Sequence, residues 1–331
     1  MESINIREKL NSIYLGFRRV KVLGVFTGLL VLGIILSIAT DKFFSVLNLI
    51  QVVRQSSFVG IMALGAVFVL SEGDVDLSVG GIYNVVGIIT AFSLEHGLTV
   101  GAAIPIGLLT GIVCGLTNVS LSLLFGIPTL IITLGTMNIF QGLGLVISQA
   151  RPIFEFPIDN FFFEVSGGTV WGLPFGVITL FTITAVLTYI YGFTKFGIHV
   201  RSIGGNLQVA RAMGVKIAQI RIFSFMLNAA LAAVASMLQV AFLRSADPSI
   251  GIGNELMVIA SAIIGGTALS GGSGSVIGAM VGALLIAVIR NGIVLLGITA
   301  YWSSIVTGAI IIAAVAIDYV SRQVKRFEEA I

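Results

Sequence analysis

The chain has 331 residues, of which 57% are hydrophobic and only 10% are charged. A soluble domain of this length carries about a quarter charged residues, so the composition excludes an ordinary soluble protein. It predicts an all-α integral membrane protein, with the lipid bilayer as its first partner. The net charge of +3 is small and gives no reason to expect nucleic acid as a partner.

Ten apolar segments predict ten membrane spans. In chain order they cover residues 22–40, 55–71, 77–94, 98–119, 127–148, 172–193, 219–242, 254–269, 275–296 and 299–318. The first follows a basic segment and has no small-residue cleavage site after it, which favours a retained span over a signal peptide. Between the first two, residues 43–53 predict a short interfacial helix with Phe43 and Phe44 at the headgroup level.

The placement of Lys and Arg predicts the orientation of these spans. Most of the 18 basic residues lie in three polar segments, 1–21, 195–221 and the tail after residue 318. An even number of spans puts all three on one side, which the positive-inside rule assigns to the cytoplasm. The sequence thus predicts one transmembrane domain over 1–331, with the weak internal duplication described below. Its parts are a cytoplasmic N-terminus 1–21, spans over 22–194, a cytoplasmic loop 195–218, spans over 219–318 and a cytoplasmic tail 319–331.

The most informative polar stretch lies inside that loop. Asn206 is a good N-cap and Gly214 stands where a helix C′ glycine belongs, so a short helix is predicted between them. A capped helix between two spans is an element that a soluble partner can hold and move. A plain basic loop is the alternative interpretation.

Two glycine-rich breaks resemble each other. One lies at Gly73 to Gly81 and the other at Gly265 to Gly274, each between two apolar segments. Both follow an even-numbered span, so both are predicted on the same side. They suggest a weak internal duplication of residues 55–148 and 252–318, and interrupted helices often line a transport pathway.

No catalytic or metal-binding set can be assembled from the sequence. The only histidines, His96 and His199, fall in segments predicted on opposite sides, and there is no Cys/His cluster for a metal. The chain has no G-x-x-x-x-G-K-[ST] loop for nucleotide phosphates. It is therefore predicted not to be an enzyme. A stand-alone ion-coupled carrier stays open as an alternative, with Asp76 or Glu255 as its coupling carboxylate.

Three motifs in order resemble the permease subunits of bacterial sugar ABC importers of the ribose type, over roughly residues 40–320. The segment 73–80, GDVDLSVG, looks like that family's GGIDLSVG signature, with Asp74 where glycine is frequent. The segment from Gly204 to Val215 is similar to the family's coupling loop. The segment 265–272, GGTALSGG, resembles its GGTSLAGG signature, followed by Ser273 where a basic residue is common.

The resemblance implies a division of labour in the bacterial cytoplasmic (inner) membrane. The permease would pair with a second copy or a sister permease, and an extracytoplasmic binding protein would deliver the sugar. Cytoplasmic ATPase subunits would bind ATP and Mg²⁺, and this chain itself would hold no cofactor. The positions matching the ATPase-coupling loop are Gly205, Asn206, Ala210, Arg211 and Gly214. The positions matching the helix-break motifs are Gly73, Asp76, Ser78, Gly80, Gly265, Gly266, Gly271 and Gly272. Ala210 and Gly214 are small enough for close approach to the ATPase, and Arg211 would reach an acidic rim of it or remain solvated or lipid-facing.

Other candidates follow from residue types. Asp76, supported by Ser78, is predicted to accept backbone N–H groups at the start of the third span. A stripe in the fifth span offers hydroxyls and an amide either to a passing sugar or to neighbouring helices. Its members are Thr129, Thr133, Thr136 and Asn138. The predicted docking residues for the binding protein, which as exposed charges can also be merely solvated, are Arg151, Glu155, Arg244 and Asp247. A nucleoside or branched-chain amino acid is the alternative cargo.

Overall fold

The computed structural model of the chain describes residues 24–299 and a few single positions between 302 and 316. Within this range the chain forms twelve helices and one small sheet. The helices before the sheet are α1 (Gly24–Ala39), α2 (Val46–Ser71), α3 (Val79–Glu95), α4 (Val100–Phe125), α5 (Thr129–Ser148) and α6 (Phe161–Ser166). The sheet pairs β1 (Thr169–Val170) with β2 (Leu173–Pro174) in antiparallel register. The remaining helices are α7 (Phe175–Phe193), α8 (Lys195–Gly205), α9 (Leu207–Ala212), α10 (Ile217–Leu243), α11 (Asn254–Ile264) and α12 (Val276–Leu295). The predicted tenth span and the two termini fall almost wholly outside the described residues.

Helix α2 is the centre of the bundle. Its residues from Ser56 to Ser71 are almost all buried, and it packs against α7, α10, α11 and α12. Helix α4 lies on α10, and α5 lies on α3. A helix that is apolar on all sides belongs in the interior of a bundle, whereas α4, α5 and α7 turn apolar side chains outward, as lipid-facing helices do. Six helices in the described range are long and apolar enough to cross a membrane: α2, α4, α5, α7, α10 and α12. The all-α membrane fold is thus confirmed.

The predicted interfacial helix over 43–53 is wrong as a separate element. Helix α2 is continuous over 26 residues, beginning at Val46 with Ser45 as its N-cap. Phe43 is buried against Leu36 and Val52 rather than placed at a headgroup level, while Phe44 is exposed. Two polar residues near the predicted start of the second span are accommodated within this helix, because Ser56 and Ser57 donate back to the carbonyls of Val53 and Arg54.

The predicted span over 254–269 is also wrong. Helix α11 has 11 residues, about 16 Å at 1.5 Å per residue, which is half of a bilayer's hydrocarbon thickness of about 30 Å. Helix α3 is short as well, and it begins near the middle of the long helix α10. Near its start, Asp76 binds Asn228, about 16 Å along α10 from Ile217, and Tyr83 is bonded to Ser236, further along. Helix α3, with 17 residues and a length of about 25 Å, and the half-length helix α11 therefore both begin inside the bundle.

Helices α3 and α11 meet at their N-termini. A Cβ atom on Gly80, at the start of α3, would contact the Glu255 carboxylate and lie 2.6 Å from the carbonyl oxygen of Gly251. Glu255 is buried in the first turn of α11 and accepts a hydrogen bond from the Gly253 N–H at 3.2 Å. A carboxylate is favourable at this position because the N-terminal ends of helices are electropositive.

The segment predicted as a loop over 195–218 holds a second helix that the sequence analysis missed. Helix α8 buries Gly197, Val200 and Ile203, which share one helical face, and the side chain of Thr194 caps its start by accepting from Gly197 N. That three-residue spacing was the available signal. At the opposite end of the bundle, α6 and the β1–β2 hairpin occupy the long loop over 149–174.

Candidate functional site

Three glycine-containing segments meet at one end of the bundle. We call this contact the glycine junction: Gly73, Gly204, Gly205, Gly271 and Gly272. The Gly272 N–H donates to the Ser71 carbonyl at 2.8 Å, which joins the two predicted breaks directly and confirms that they lie on the same side. A Cβ atom on Gly204 would stand 2.5 Å from Gly272 N and 2.9 Å from Gly271 Cα, so backbone packs against backbone here.

The predicted short helix stands beside this junction. We call α9 the coupling helix. The Asn206 side chain accepts from Val209 N at 3.0 Å, and Gly214 has φ of +78°, so both predicted caps are confirmed. The coupling helix begins one residue after α8 ends, and α8 contributes Gly204 to the junction. The junction thus fixes the base of the coupling helix to both breaks.

The exposed face of the coupling helix differs from the one predicted. Ala210 is 2% exposed, packed into the chain's own core, so the expectation that it approaches a partner closely is wrong for this conformation. The outward side chains are instead Val209 and Met213, 54% and 79% exposed, together with Arg211. Within the described part of the chain no carboxylate pairs with Arg211. The outcome is a small apolar surface with one positive charge.

Residues 72–78, between α2 and α3, form an irregular segment that starts with a turn at Glu72 and Gly73; we call it the connector. Asp76 is 5% exposed, and its Oδ1 accepts from the Ser78 N–H at 2.9 Å and from the Ser78 hydroxyl at 2.6 Å. Its Oδ2 accepts from Asn228 Nδ2 at 2.9 Å. Asp76 thus accepts one backbone N–H, from Ser78 just before α3, where the sequence predicted acceptance of several at the start of the span. Ser78 makes no cap of its own, because its hydroxyl is used by Asp76 and by Asn118.

Three polar residues of α10 hold the connector, and the sequence analysis did not assemble them. Arg221 Nε lies 2.9 Å from Asp74 Oδ2, and the Ser224 hydroxyl donates to Glu72 Oε1. Asn228 binds Asp76, so the three lie at i, i+3 and i+7 on one face of α10. This spacing was the signal that could have grouped them. Irregular backbone at membrane depth is tolerated only where protein groups surround it, and α10 supplies those groups.

The threonine stripe of α5 also faces the connector. Thr129 donates to Asp74 Oδ1 at 3.1 Å, Thr133 accepts from Leu77 N at 3.1 Å, and Thr136 donates to Asn118 Oδ1 at 2.6 Å. All three are buried: Thr129 and Thr133 bind the connector, and Thr136 joins α5 to α4. Asn138 does not join them: it lies on the exposed face of α5 and donates to its own helix, at Leu134 O.

Replacing Thr136 by valine tests which of the two interpretations holds. The change removes one hydrogen bond of a kind that contributes about 0.6 kcal/mol in membrane proteins, and it leaves Asn118 Oδ1 without that donor. We expect a slightly lower melting temperature in detergent and an unchanged apparent KM for uptake. A raised KM at unchanged melting temperature would instead assign Thr136 to the pathway.

The remaining predicted residues lie in two places. Gly265 is the C-cap of α11, and an added Cβ there would meet the backbone of Gly278. Gly266 follows with a φ of +98°. Both residues belong to the turn that leads into the glycine junction. At the opposite end, the two loops that carry the predicted docking residues are joined by a backbone bridge between Ile153 and Ala246. The predicted residues on these loops, exposed except for half-buried Asp247, are Arg151, Glu155, Arg244 and Asp247.

Comparison with known proteins finds relatives that match most of the chain. The sequence model of the family described as "Branched-chain amino acid transport system / permease component" matches residues 48–315. Ribose import permease protein RbsC of Bacillus subtilis is 35% identical over 297 residues, 89% of this chain and 92% of that one. The D-allose transport system permease protein AlsC of Escherichia coli is 34% identical over 292 residues, 87% of this chain and 88% of that one.

A solved structure shares the fold at a greater distance. A chain from an ABC transporter in an inward-facing conformation superposes with a TM-score of 0.52 over 91% of this chain and 99% of its own length, at 14% identity. Together with the apolar helices, the family match covers most of the described fold. The chain is a multi-pass membrane protein of the bacterial inner membrane and belongs to the permease family of ABC transporters that includes the ribose import permeases.

Proposed function

We propose that this chain is the permease subunit of an ABC importer that takes up a sugar. The observation that carries the proposal is the exposed coupling helix, whose base is fixed to both helix breaks at the glycine junction. Relatives named for ribose and D-allose match along most of the chain and support a sugar as cargo. The name of the matching family supports a branched-chain amino acid as the competing cargo.

The sidedness of the site follows from charge. The glycine junction lies at the same end of the bundle as the segment 195–216, which includes the coupling helix and carries Lys195, Arg201, Arg211 and Lys216. The positive-inside rule therefore assigns this end to the cytoplasm. Both termini are placed on the same side, because the segments 1–21 and 319–331 are also rich in Lys and Arg. The bridged loops at the opposite end then face outward, where a solute-binding protein would dock on Arg151 and its neighbours.

The energy for transport would come from partner subunits. Nothing in the sequence holds nucleotide phosphates, so ATP and Mg²⁺ belong to two cytoplasmic ATPase subunits that grip the coupling helices of a permease dimer. The apolar side chains of Val209 and Met213 would fill a cleft in the ATPase, and Arg211 would face its acidic rim. Buried apolar anchors of this kind contribute most of the affinity in protein interfaces.

The docking surface is tested by charge insertion. Met213→Asp places a carboxylate in the proposed apolar contact, where its desolvation is unfavourable. We expect a tagged Met213→Asp chain, solubilised from membranes in mild detergent, to lose its co-purifying ATPase while it elutes as a monodisperse peak. Trp171→Asp is the matched control, because Trp171 is equally apolar and exposed but lies in the hairpin at the other end. Equal ATPase recovery from both variants would contradict docking at the coupling helix.

The same purification tests the function itself. Mass spectrometry of the wild-type complex is expected to find an ATPase with a P-loop and a secreted binding protein, and the ligand of that binding protein then identifies the cargo. Calorimetric titration with ribose, D-allose and leucine separates the sugar and amino acid alternatives. A chain that purifies alone, even after crosslinking, and transports in liposomes under an ion gradient would contradict the proposal.

A further inference from the structure

The ion pair between Asp74 and Arg221 occupies a particular place in the bundle. Arg221 lies in the second turn of α10, and α10 begins five residues after the coupling helix ends at Ala212. Its guanidinium reaches across to the connector, where Nε stands 2.9 Å from Asp74 Oδ2. The pair therefore joins α10, which follows the coupling helix in the chain, to the connector.

Burial makes this pair act as one unit. The side chains of Asp74 and Arg221 are 10% and 24% exposed. Separating two partly buried opposite charges leaves each without compensation, which is far less favourable than moving them together. The other acceptor contact of Asp74 is one hydrogen bond from Thr129 at 3.1 Å. A displacement of the first turns of α10 is thus transferred to Asp74 rather than absorbed between them.

The connector is suited to receive that displacement. Its first residues are attached to the glycine junction through Ser71 and Gly73, and its last residues lead into α3, whose start faces α11 across Gly80. Asp74 lies between these two fixed points. Its motion would move the N-terminal end of α3 against α11 inside the membrane.

We infer that the Asp74–Arg221 ion pair transmits movement of the coupling helix to the connector, and through it to the start of α3. In this role both are positioning residues: they contact neither ATP nor the cargo. The inference rests on the proposed function, since it requires an ATPase that moves the coupling helix. On this inference, the ion pair determines how many solute molecules are transported per ATP hydrolysed.

The experiment uses the complete complex in proteoliposomes, with transported solute and released phosphate measured on the same sample. Asp74→Asn breaks the pair while keeping the shape of the side chain, and Arg221→Gln breaks it with a shorter, uncharged polar side chain. For each we expect solute moved per ATP to fall by about 5- to 20-fold, within the range of known coupling between distant sites, with ATPase association unchanged. Thr129→Val is the matched control, because it removes the other contact of Asp74 and keeps the ion pair. For Thr129→Val, the amount of solute moved per ATP is expected to be within about twofold of the wild-type value.

A double variant and a charge-preserving variant guard against misfolding. The double variant Asp74→Asn/Arg221→Gln has no uncompensated charge, and its loss of coupling is expected to match a single variant rather than the product of the two. Asp74→Glu/Arg221→Lys retains both charges and is expected to restore most of the ratio. A double variant that couples like wild type would overturn the inference. A different result would contradict the proposed function: the absence of any ATP-dependent uptake by the wild-type complex.

Discussion

Gly204→Ala is expected to lower the stability of the solubilised protein sharply and to reduce uptake to the background level. The added methyl group would meet the Ser71 carbonyl, Gly272 N and Gly271 Cα, all of them backbone atoms of two other segments. Backbone cannot rotate aside as a side chain does, so the junction would have to open. We expect a loss of about 3 kcal/mol, at the upper end of the effect of overpacking. The fraction of monodisperse protein after heating in detergent measures it.

The neighbouring residue provides the control. Gly205 is the last residue of α8, and an added Cβ there would meet no atom within 4 Å. Gly205→Ala is expected to melt at or above the wild-type temperature, because alanine is favoured over glycine in a helix by about 1 kcal/mol. If Gly204→Ala and Gly205→Ala had the same melting temperature, the close packing at Gly204 would not exist in the protein in solution.

Asp76→Ala is expected to have the second large effect. The carboxylate accepts three hydrogen bonds, two from Ser78 and one from Asn228, and all of these groups are buried. Removing it leaves the Ser78 N–H and the Asn228 amide without acceptors, and it removes the negative charge from the start of α3. Each buried donor left unpaired costs about 1–3 kcal/mol, so a loss of at least about 3 kcal/mol is expected in the same heating assay.

Asp76→Asn distinguishes shape from charge at this site. Its amide oxygen can still accept from Ser78, and its NH₂ group would face the NH₂ group of Asn228. The Oδ1 atom of Asn228 has no other hydrogen-bond partner in the described part of the chain, so a flip of that amide restores the contact. We therefore expect the asparagine variant to lose about 1 kcal/mol and to retain uptake. An asparagine variant as unstable as Asp76→Ala would show that the negative charge is indispensable.

Local rules were enough to predict part of the site. The caps at Asn206 and Gly214 depend on residues within one turn, and the capping role of Asp76 depends on a residue two positions away. Such short-range features are visible in a sequence. The all-α membrane class followed in the same way from long apolar segments.

Contacts between distant segments explain what the sequence did not reveal. The second span was predicted to begin at residue 55, but α2 continues through Arg54, whose guanidinium lies 4.2 Å from the ring centroid of Phe242 and donates to Gly167 O. Ala210 was read as an outward contact because it is small, yet the packing of α8 and α9 turns it inward. Neither the Phe242 contact nor that packing is encoded near the residue concerned.

The connector also limits how the length of this protein can change. Asp74 binds Arg221 and Asp76 binds Asn228, so two nearby residues of the connector are paired with positions about 10 Å apart along α10. One inserted residue between Gly73 and Asp76 would turn a carboxylate away from its partner, and the helix on the other side cannot shift by one residue to follow. In the outer loop over 149–174 the fixed pairings are the Ile153–Ala246 bridge and the β1–β2 hairpin, and neither ties two nearby residues to two positions of one helix. Insertions and deletions should therefore be tolerated between those two pairings and be excluded from the seven residues between α2 and α3.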